Sequence, residues 1–322
     1  MSRILTGVQS TGTPHLGNLL GAILPAVEMS NQPNNEAFLF IADMHSLTQI
    51  KEGERLRENT YSTAATWLAC GVNTHKTVFF RQSDVSEVTE LAWYLSCFFP
   101  YQRLTLAHSF KEKSHRLSDI NTGLFTYPML MAADILLYDA EIIPVGKDQL
   151  QHLEITRDVA KRFNAVVGQT LVPPEAKIQD NTQLILGTDG EKMSKSRGNT
   201  INLFQSDKKL KKQVMSIKTD SKPLEATKDP DTDTIFALYQ LIASAEAVTA
   251  MRIKYLEGNY GYGQAKKELY ECIITNYGPV RERYFYFMEN KNEIDQALEI
   301  GAKKARKIAS EVLNRVRQKL GF

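Results

Sequence analysis

The sequence predicts an α/β protein, in which a parallel sheet covered by helices on both faces is followed by an all-helical region. Two observations support this fold class. In the first part of the chain, short apolar runs alternate with segments of helical spacing, which is typical of parallel strands joined by crossover helices. After about Phe204 the strand signals fade and Lys-rich helical patterns take over. The length of 322 residues fits two domains, which we assign to residues 1–204 and 205–322.

The strands are predicted at the apolar runs, and the helices at the segments of helical periodicity between them. The predicted strands are residues 4–8, 37–42, 77–81, 141–145 and 183–187. The predicted helices of the first region are residues 17–30, 54–68, 86–98, 129–138 and 148–163. We place Pro128 in the first turn of its helix, where a missing N–H is tolerated. Ligands of such sheets bind beyond the carboxyl ends of the strands.

The second region is predicted to be helical throughout, with a polar loop at residues 219–230. Its predicted helices are residues 208–216, 234–244, 247–257, 262–277, 280–290 and 292–320. The end of the last helix is rich in basic residues, namely Lys303, Lys304, Arg306, Lys307, Arg315, Arg317 and Lys319. Such a cluster suits contacts with phosphates. A solvated helix face explains any single one of these residues equally well.

Composition narrows the class of protein. Lys and Arg total 39 against 37 Asp and Glu, so the formal charge of +2 excludes a dominantly basic nucleic-acid coat. The 3 cysteines are odd in number and widely spaced, which does not indicate a disulfide framework. The first residues lack the apolar core of a signal peptide, and the apolar run at 37–42 is far shorter than the roughly 18 residues of a membrane helix. We expect a soluble protein of the cytoplasm.

The segment 192–196 has the sequence KMSKS and follows a predicted strand and a turn. This segment contains two lysines and two serines with glycines nearby, a composition that suits a phosphate-binding loop. Lysine is a compact cation that can follow negative charge as it moves onto a leaving group. A solvated basic loop is the alternative, and it would be preferred for a shorter match than these five letters.

The segment 12–18 has the sequence GTPHLGN and lies between the first strand and a helix start. Gly17 allows a nucleotide to approach the backbone, and the amino end of a helix favours phosphate. His15 and Asn18 can donate hydrogen bonds to phosphate oxygens. A plain glycine turn with a surface histidine is the alternative if this segment is taken alone.

Together, HLGN and KMSKS resemble the two signatures of the class I aminoacyl-tRNA synthetases. The resemblance implies a Rossmann-like catalytic domain over 1–204 and a tRNA anticodon-binding region over 205–322. It also implies the reaction, in which ATP and an amino acid form an aminoacyl-adenylate and pyrophosphate, and the acyl group then passes to tRNA.

Two longer segments resemble the tryptophan branch of this family in its bacterial form. They are TYPMLMAADILLY at 126–138 and VGKDQLQHLEITRD at 145–158. The resemblance implies that L-tryptophan is activated to tryptophanyl-adenylate and transferred to tRNA(Trp) by a homodimer. Two alternatives stay open, namely the tyrosine branch and a non-catalytic RNA-binding relative that keeps the fold.

Asp134 is the residue that the indole is expected to meet. Met131 and Asp134 share a helix face, and Tyr127 can extend that face. Burying a lone carboxylate among alanines and aliphatic residues is costly unless a donor meets it. The indole N–H is a donor only, and phenylalanine would leave the carboxylate unpaired. The alternative is a structural aspartate bonded to a backbone N–H or an arginine.

The resemblance implies the remaining site residues, motif by motif. The tryptophan-binding residues are Gly7, Gln9, His45, Tyr127, Met131, Asp134, Val145 and Gln149. The ATP-binding residues are Gln9, Ser10, Thr11, Gly17, Asn18, Gly146, Lys147, Asp148, Ile185, Lys192, Met193, Ser194, Lys195 and Ser196. The catalytic residues, which hold or neutralise phosphates, are His15, Asn18, Lys113, Lys192 and Lys195.

Three of these assignments have simple alternatives or departures. His45 also fits a structural histidine at a strand end, and Lys113 also fits ordinary surface charge. Lys147 stands where an acidic residue is frequent in the family, so the contact there depends mainly on Gly146 and Asp148. No Cys/His cluster has zinc-ligand spacing. We therefore expect Mg²⁺ only with ATP as substrate, and neither zinc nor a tightly bound cofactor.

Overall fold

The computed structural model describes residues 2–106, 120–146, 149–178 and 184–322, and every structural statement below concerns these ranges. The chain forms two compact units. The first unit consists of Met1–Gly12, Ala26–Asp180 and Asn290–Phe322, and the second of Thr13–Pro25 and Asn181–Glu289. The functional boundary that we place at residue 204 stays a prediction.

The first unit contains a sheet of five parallel strands in the order β3-β2-β1-β4-β5. The strands are β1 (Ser2–Val8), β2 (Asn35–Ile41), β3 (Val78–Arg81), β4 (Ile142–Val145) and β5 (Glu175–Ile178). β1 is central, and the order of the strands along the chain reverses direction between β1 and β4. This confirms the predicted α/β class and its parallel sheet.

Helices join the strands and then continue without strands to the end of the chain. In the first part they are Leu16–Asn18, a π-helical turn at Leu19–Ile23, Leu24–Asn31, Asp43–Ser46, Gly53–Ala69, Glu87–Phe98, Tyr101–Thr105, Thr122–Leu136 and Leu150–Val167. The later helices are Asp207–Met215, Thr234–Gln240, Ala245–Glu257, Tyr262–Glu289 and Lys291–Leu320. The predicted helical character beyond residue 204 is therefore confirmed. None of the described helices is long and apolar enough to cross a membrane.

The strands form because aromatic and branched residues alternate or cluster at their positions. Phe38 and Phe40 of β2 are buried, and the rings of Phe40 and Phe80 stack with centroids 5.8 Å apart. These rings pack with aliphatic residues of the helices Glu87–Phe98 and Thr122–Leu136 in one core. The core fixes the strand ends from which the site is built.

The helix around Pro128 begins earlier than predicted. It covers Thr122–Leu136, and the side chain of Asn121 caps it by accepting a hydrogen bond from the Leu124 N–H at 3.0 Å. Pro128 therefore lies inside the helix rather than in its first turn, and the prediction was wrong. Leu124 and Tyr127, before the proline, are buried, so packing of this face offsets the backbone hydrogen bond that proline cannot make.

The predicted strand at 183–187 was also wrong over its described part. Gln183 lies outside the described residues, and Leu186 makes only an isolated antiparallel bridge with Lys192. The fifth strand is Glu175–Ile178, which pairs with β4. Its sequence, EAKI, lacks an apolar run because it lies at the edge of the sheet, where polar side chains face water.

The predicted break near Pro279 does not occur. Residues 262–277 and 280–290 were predicted as separate helices, but one helix covers Tyr262–Glu289. Buried side chains recur along it from Ala265 to Tyr284 at helical spacing. This continuous buried face stabilises the helix on both sides of the proline.

The helix Lys291–Leu320 packs against β3 within the first unit. Gly301 lies directly on the backbone of Phe79, and an added Cβ would collide with the Phe79 carbonyl. Ala302, Ala305 and Ala309 are fully buried on the same side of the helix. Small residues thus allow this helix to approach the edge strand closely.

Candidate active site

The carboxyl ends of β2 and β3 supply polar residues to one buried cluster in the first unit. His45 lies in the short helix that follows β2, and Gln82 comes directly after β3. Both contact Asp134, which the helix Thr122–Leu136 presents with only 3% of its surface exposed. The sequence predicted Asp134 and His45 as site residues, but it did not single out Gln82.

The Asp134 carboxylate accepts three hydrogen bonds from side chains. Gln82 Nε2 lies 2.8 Å from Oδ1 and 2.9 Å from Oδ2, and His45 Nε2 lies 2.8 Å from Oδ2. A carboxylate offers about four acceptor positions, two on each oxygen. These contacts therefore leave one acceptor position on Oδ1. Asp134 is bonded to neither a backbone N–H nor an arginine in the described contacts, which were the structural alternatives.

Burial raises the pKa of Asp134, while the hydrogen bonds from His45 and Gln82 act in the opposite direction. Gln82 is itself 1% exposed and is held by the backbone. Its Oε1 accepts hydrogen bonds from the N–H groups of Met44 at 3.1 Å and His45 at 3.3 Å. The orientation of the Gln82 amide is thus fixed, and its N–H group faces the carboxylate.

Aromatic rings of Tyr127 and His152 lie beside this cluster. The rings of Tyr127 and His45 meet edge to face with centroids 6.2 Å apart. The Tyr127 hydroxyl and His152 Nε2 are hydrogen-bonded at 3.0 Å. Met131 is partly buried one turn after Tyr127, on the face that also carries Asp134. The sequence predicted Tyr127 and Met131 as site residues but did not indicate His152, which lies within residues 145–158.

Other predicted tryptophan-binding residues lie near the carboxyl ends of β1 and β4. Gly7 is in β1 with the Phe40 ring in the space that a side chain would fill. Gln9 follows β1, Val145 ends β4, and Gln149 precedes the helix Leu150–Val167, its N–H donating to the Gly146 carbonyl at 3.0 Å. β1 and β4 flank the point where the strand order reverses, which is where open α/β sheets bind ligands.

Ser10, predicted to bind ATP, has a fully buried hydroxyl. It lies 3.1 Å from the Ser46 hydroxyl and accepts a hydrogen bond from Thr60 Oγ1 at 3.2 Å. Thr11, the next predicted residue, is partly exposed. The Ser10 side chain therefore ties the segment after β1 to two helices of the first unit.

In the second unit, His15 and Asn18 cap the start of the first helix reciprocally. The Asn18 N–H donates to His15 Nδ1 at 3.3 Å, and the His15 N–H donates to Asn18 Oδ1 at 3.2 Å. Burial, and then the charge of Lys195, lower the pKa of His15 to about 4. His15 is therefore neutral near pH 7, and because Nδ1 accepts, Nε2 carries the proton and can donate to a phosphate oxygen.

The KMSKS segment contacts this helix start within the second unit. The Gly17 N–H donates to Met193 Sδ at 3.3 Å, and the Met193 N–H donates to the Ile185 carbonyl at 2.9 Å. Met193 is buried, whereas the side chains of Lys192 and Lys195 retain contact with water. Partial burial nevertheless lowers the pKa of Lys195 to about 8. Ser194 and Ser196 bond to each other through their hydroxyls at 2.9 Å.

Three predicted residues, Lys113, Lys147 and Asp148, lie outside the described residues. Among the described residues, no group of three or more His, Cys, Asp or Glu side chains could hold a metal ion. The geometry thus defines a buried polar cluster around Asp134 in the first unit. In the second unit it defines a cationic loop beside a helix start.

These features are those of a nucleotide-dependent ligase of the class I synthetase type. Residues 1–278 match the sequence profile of a family described as tRNA synthetases class I (W and Y). The chain belongs to this family, which confirms the membership predicted from HLGN and KMSKS.

Several proteins that are similar over the whole chain share one name. A tryptophan–tRNA ligase of Rhodopirellula baltica is 46% identical over 320 residues, with 99% of each chain covered. A tryptophan–tRNA ligase of Fusobacterium nucleatum is 46% identical over 323 residues, covering 100% of this chain and 98% of that one. A crystal structure of tryptophanyl-tRNA synthetase from Campylobacter jejuni, complexed with ADP and tryptophan, superposes with a TM-score of 0.94 at 43% identity, covering 99% of this chain and 100% of that one.

Proposed function

We propose that this chain is a tryptophan–tRNA ligase. It activates L-tryptophan with ATP to tryptophanyl-adenylate and pyrophosphate, and then transfers tryptophan to tRNA(Trp). The observation that carries the proposal is the buried Asp134 carboxylate, which keeps one acceptor position on Oδ1 after His45 and Gln82 have bonded to it. The indole N–H of tryptophan fits that position because it can only donate.

The same cluster supports discrimination between amino acids. Phenylalanine offers no donor and would leave part of a buried carboxylate unpaired, which a polar pocket rejects strongly. We assign Tyr127, Met131 and Val145 to the walls of the pocket, together with Gly7 and His45. We assign Gln9 and Gln149 to the polar groups of the amino acid.

The protein acts mainly by positioning and by charge neutralisation. A carboxylate oxygen of tryptophan attacks the α-phosphorus of ATP, the new C–O–P bond forms, and the bond from the α-phosphorus to pyrophosphate breaks. We propose that Lys192 and Lys195 stabilise the departing pyrophosphate, and that His15, Asn18 and Lys113 hold phosphates.

ATP enters as its Mg²⁺ complex, so the ion belongs to the substrate. The remaining predicted ATP-binding residues are part of the same proposal, namely Ser10, Thr11, Gly17, Gly146, Lys147, Asp148, Ile185, Met193, Ser194 and Ser196.

We also propose that residues 205–322 contain the region that binds the tRNA anticodon. Several basic residues at the end of the last helix are already engaged within the first unit. Arg315 pairs with Asp139, and Arg317 pairs with Glu90 through both carboxylate oxygens. These two arginines stabilise the fold, and Lys307 and Lys319 are better candidates for phosphate contacts.

The homodimer is a further part of the proposal. Trp93, Tyr101 and Leu106 are more than half exposed in the first unit, at 68%, 66% and 61%. Large apolar side chains grouped in one stretch of sequence support a protein–protein interface. Sedimentation analysis of the wild type and of Trp93→Glu tests it, and a dimer that dissociates in the variant is expected. The three cysteines form no disulfide bond within the described residues, which supports a cytoplasmic location.

One assay tests the proposed activity directly. We expect ATP–pyrophosphate exchange with tryptophan and not with the other standard amino acids. Exchange driven by tyrosine would assign the chain to the tyrosine branch, and no exchange with any amino acid would support a non-catalytic relative. Asp134→Asn is the matched variant, and we expect it to lose selectivity against phenylalanine and tyrosine while ATP binding persists.

A further inference from the structure

Asn199 is a buried polar residue that lies just beyond the KMSKS segment and has no role in the mechanism above. It is 3% exposed. Its Oδ1 accepts a hydrogen bond from the Ser194 N–H at 2.7 Å, and its Nδ2 donates to the Lys192 carbonyl at 3.1 Å. One side chain therefore bonds to the backbone on both sides of Met193.

A third bond connects the same amide to the turn before the KMSKS segment. Asn199 Nδ2 donates to Asp189 Oδ1 at 2.7 Å, and Asp189 Oδ1 also accepts from the Glu191 N–H at 3.0 Å. The hydrogen bond from Asn199 is the main cause of the lowered pKa of Asp189. The Asp189 carboxylate thus stays ionised and keeps accepting.

The backbone around Asn199 closes the base of the loop. The Thr188 N–H donates to the Asn199 carbonyl at 2.9 Å, and Gly187 packs so closely on the Asn199 side chain that no Cβ would fit there. Gly190 and Gly198 have φ angles of 85° and 67°, which glycine adopts without strain. These two glycines flank the KMSKS segment, and the side chain of Asn199 bonds to the backbone between them.

We propose that Asn199 is the positioning residue that holds the KMSKS segment in its phosphate-binding form. Its two backbone contacts at Lys192 and Ser194 set the position of Met193, whose sulfur accepts the Gly17 N–H. The lysines at 192 and 195 extend from this fixed backbone. Preorganised charges accelerate a reaction because they need no rearrangement when charge develops on the leaving group.

The proposal rests on the proposed function, because it assigns Asn199 a task in the adenylation reaction. The test compares four variants with the wild type. Asn199→Ala removes all three side-chain bonds. Asn199→Asp keeps the acceptor for the Ser194 N–H but places a carboxylate against Asp189. The double variant Asn199→Asp with Asp189→Asn restores a donor–acceptor pair at that contact with the roles exchanged.

Asn202→Ala is the matched control. This asparagine is three residues further along, and its Oδ1 caps the Phe204 N–H at 2.9 Å without bonding to the KMSKS segment. Each variant is measured by single-turnover adenylate formation, by the equilibrium affinity for tryptophan, and by the rate of tryptic cleavage after Lys192, Lys195 and Arg197. Cleavage at these sites reports the population of the opened loop independently of activity.

We expect Asn199→Ala to slow adenylate formation by about 10- to 100-fold, because charge-stabilising groups lose that much when they are misplaced. The affinity for tryptophan should stay within about twofold, since the amino-acid pocket is built from the first unit. Tryptic cleavage in the segment should accelerate by about tenfold, as expected for the loss of buried hydrogen bonds. The double variant should recover part of both effects relative to Asn199→Asp, and Asn202→Ala should match the wild type.

Either of two results would overturn the proposal while the wild type still catalyses exchange. One is adenylate formation and cleavage in Asn199→Ala that match the wild type. The other is a loss of tryptophan affinity as large as the loss of rate, which would mean general damage to the fold. A wild type without exchange activity refutes the proposed function instead, and the cleavage assay then shows separately whether Asn199 closes the loop.

Discussion

Gln82 donates its side-chain amide to both carboxylate oxygens of Asp134, at 2.8 and 2.9 Å. The two residues are 52 positions apart in the sequence, and both are almost fully buried. Burial raises the pKa of Asp134, and the hydrogen bonds from the Gln82 amide offset part of that increase. The amide also leaves the carboxylate in one orientation, ready for a single further donor.

Removal of this amide should weaken tryptophan activation and shift its pH dependence. We expect Gln82→Met to lower kcat/KM for tryptophan by about 10- to 100-fold, the value of a hydrogen bond to a charged group. Because Gln82 lowers the pKa of Asp134, its loss raises that pKa further, and activity should decline at a higher pH on acidification. Rate profiles against pH measure both effects.

The exposed glutamine Gln49 supplies the matched control for that experiment. Gln49→Met makes the same chemical change away from the pocket and should leave the profile unchanged. A Gln82→Met enzyme with the pH profile and selectivity of the wild type would contradict the role of the amide.

Lys195 gives a prediction about the pH dependence of ATP use. Its pKa is lowered to about 8, so the free chain loses this positive charge as the pH rises through that value. We expect kcat/KM for ATP to fall above pH 8 in the wild type but to stay flat in Lys195→Arg, since a guanidinium remains protonated. Lys195→Ala should reduce adenylate formation by about 10²-fold below pH 8, and its deficit relative to the wild type should narrow above that pH. If kcat/KM for ATP depends on pH in the same way in the wild type and in Lys195→Arg, loss of the Lys195 charge does not cause the decline.

His15 links the stability of the chain to pH. The folded chain keeps it neutral down to about pH 4, whereas an ordinary histidine of the unfolded chain takes up a proton near pH 6.5. Between these values the unfolded state binds more protons, so the free energy of unfolding falls as the pH falls through this window. His15→Asn keeps a capping acceptor but does not titrate. Urea unfolding across the window should show a shallower pH dependence for the variant, and equal slopes would count against a buried neutral histidine.

Gly301 gives a prediction about the fold alone. A methyl group there would collide with the Phe79 carbonyl, so the helix Lys291–Leu320 would have to move away from β3. We expect Gly301→Ala to reduce the free energy of unfolding by about 3 kcal/mol, which is typical of severe overpacking. Gly263→Ala, at a helical position with open space around it, is the control and should change stability by less than about 1 kcal/mol. Thermal and urea unfolding compare the two.

The sequence was sufficient for the parts of the fold in which apolar periodicity is strong. Four of the five strands and the helical character beyond residue 204 were predicted, and the family was confirmed. β5 was not predicted because an edge strand with polar residues has no apolar run. Pro128 and Pro279 misled the prediction because a proline was taken as a helix boundary, while buried residues on both sides keep the helix continuous.

The sequence predicted the site residues that lie together in one short segment, but not the contacts between distant segments. Asp134 was identified from the family resemblance and its apolar neighbours, and His45 from the resemblance. Their contact and the role of Gln82 were not predicted, because both partners reach Asp134 from distant strand ends. Gln82 could have been found by asking which polar residues directly follow a buried strand, since parallel strands present such residues at one edge. Asn199 lies three residues after the KMSKS segment, yet nothing in the sequence indicates that its side chain folds back on Lys192 and Ser194. The roles assigned to the motif residues stay predictions.

The helix Lys291–Leu320 also sets the order in which the molecule can be completed during synthesis. Arg306 donates to the Asp84 carbonyl across 222 residues of sequence, so β3 leaves the ribosome long before its covering helix exists. At about 5–20 residues per second, the interval is roughly 10 to 45 s. Throughout it, the β3 edge is available to pair with other chains. Coverage of this edge is therefore one of the last steps in forming the first unit.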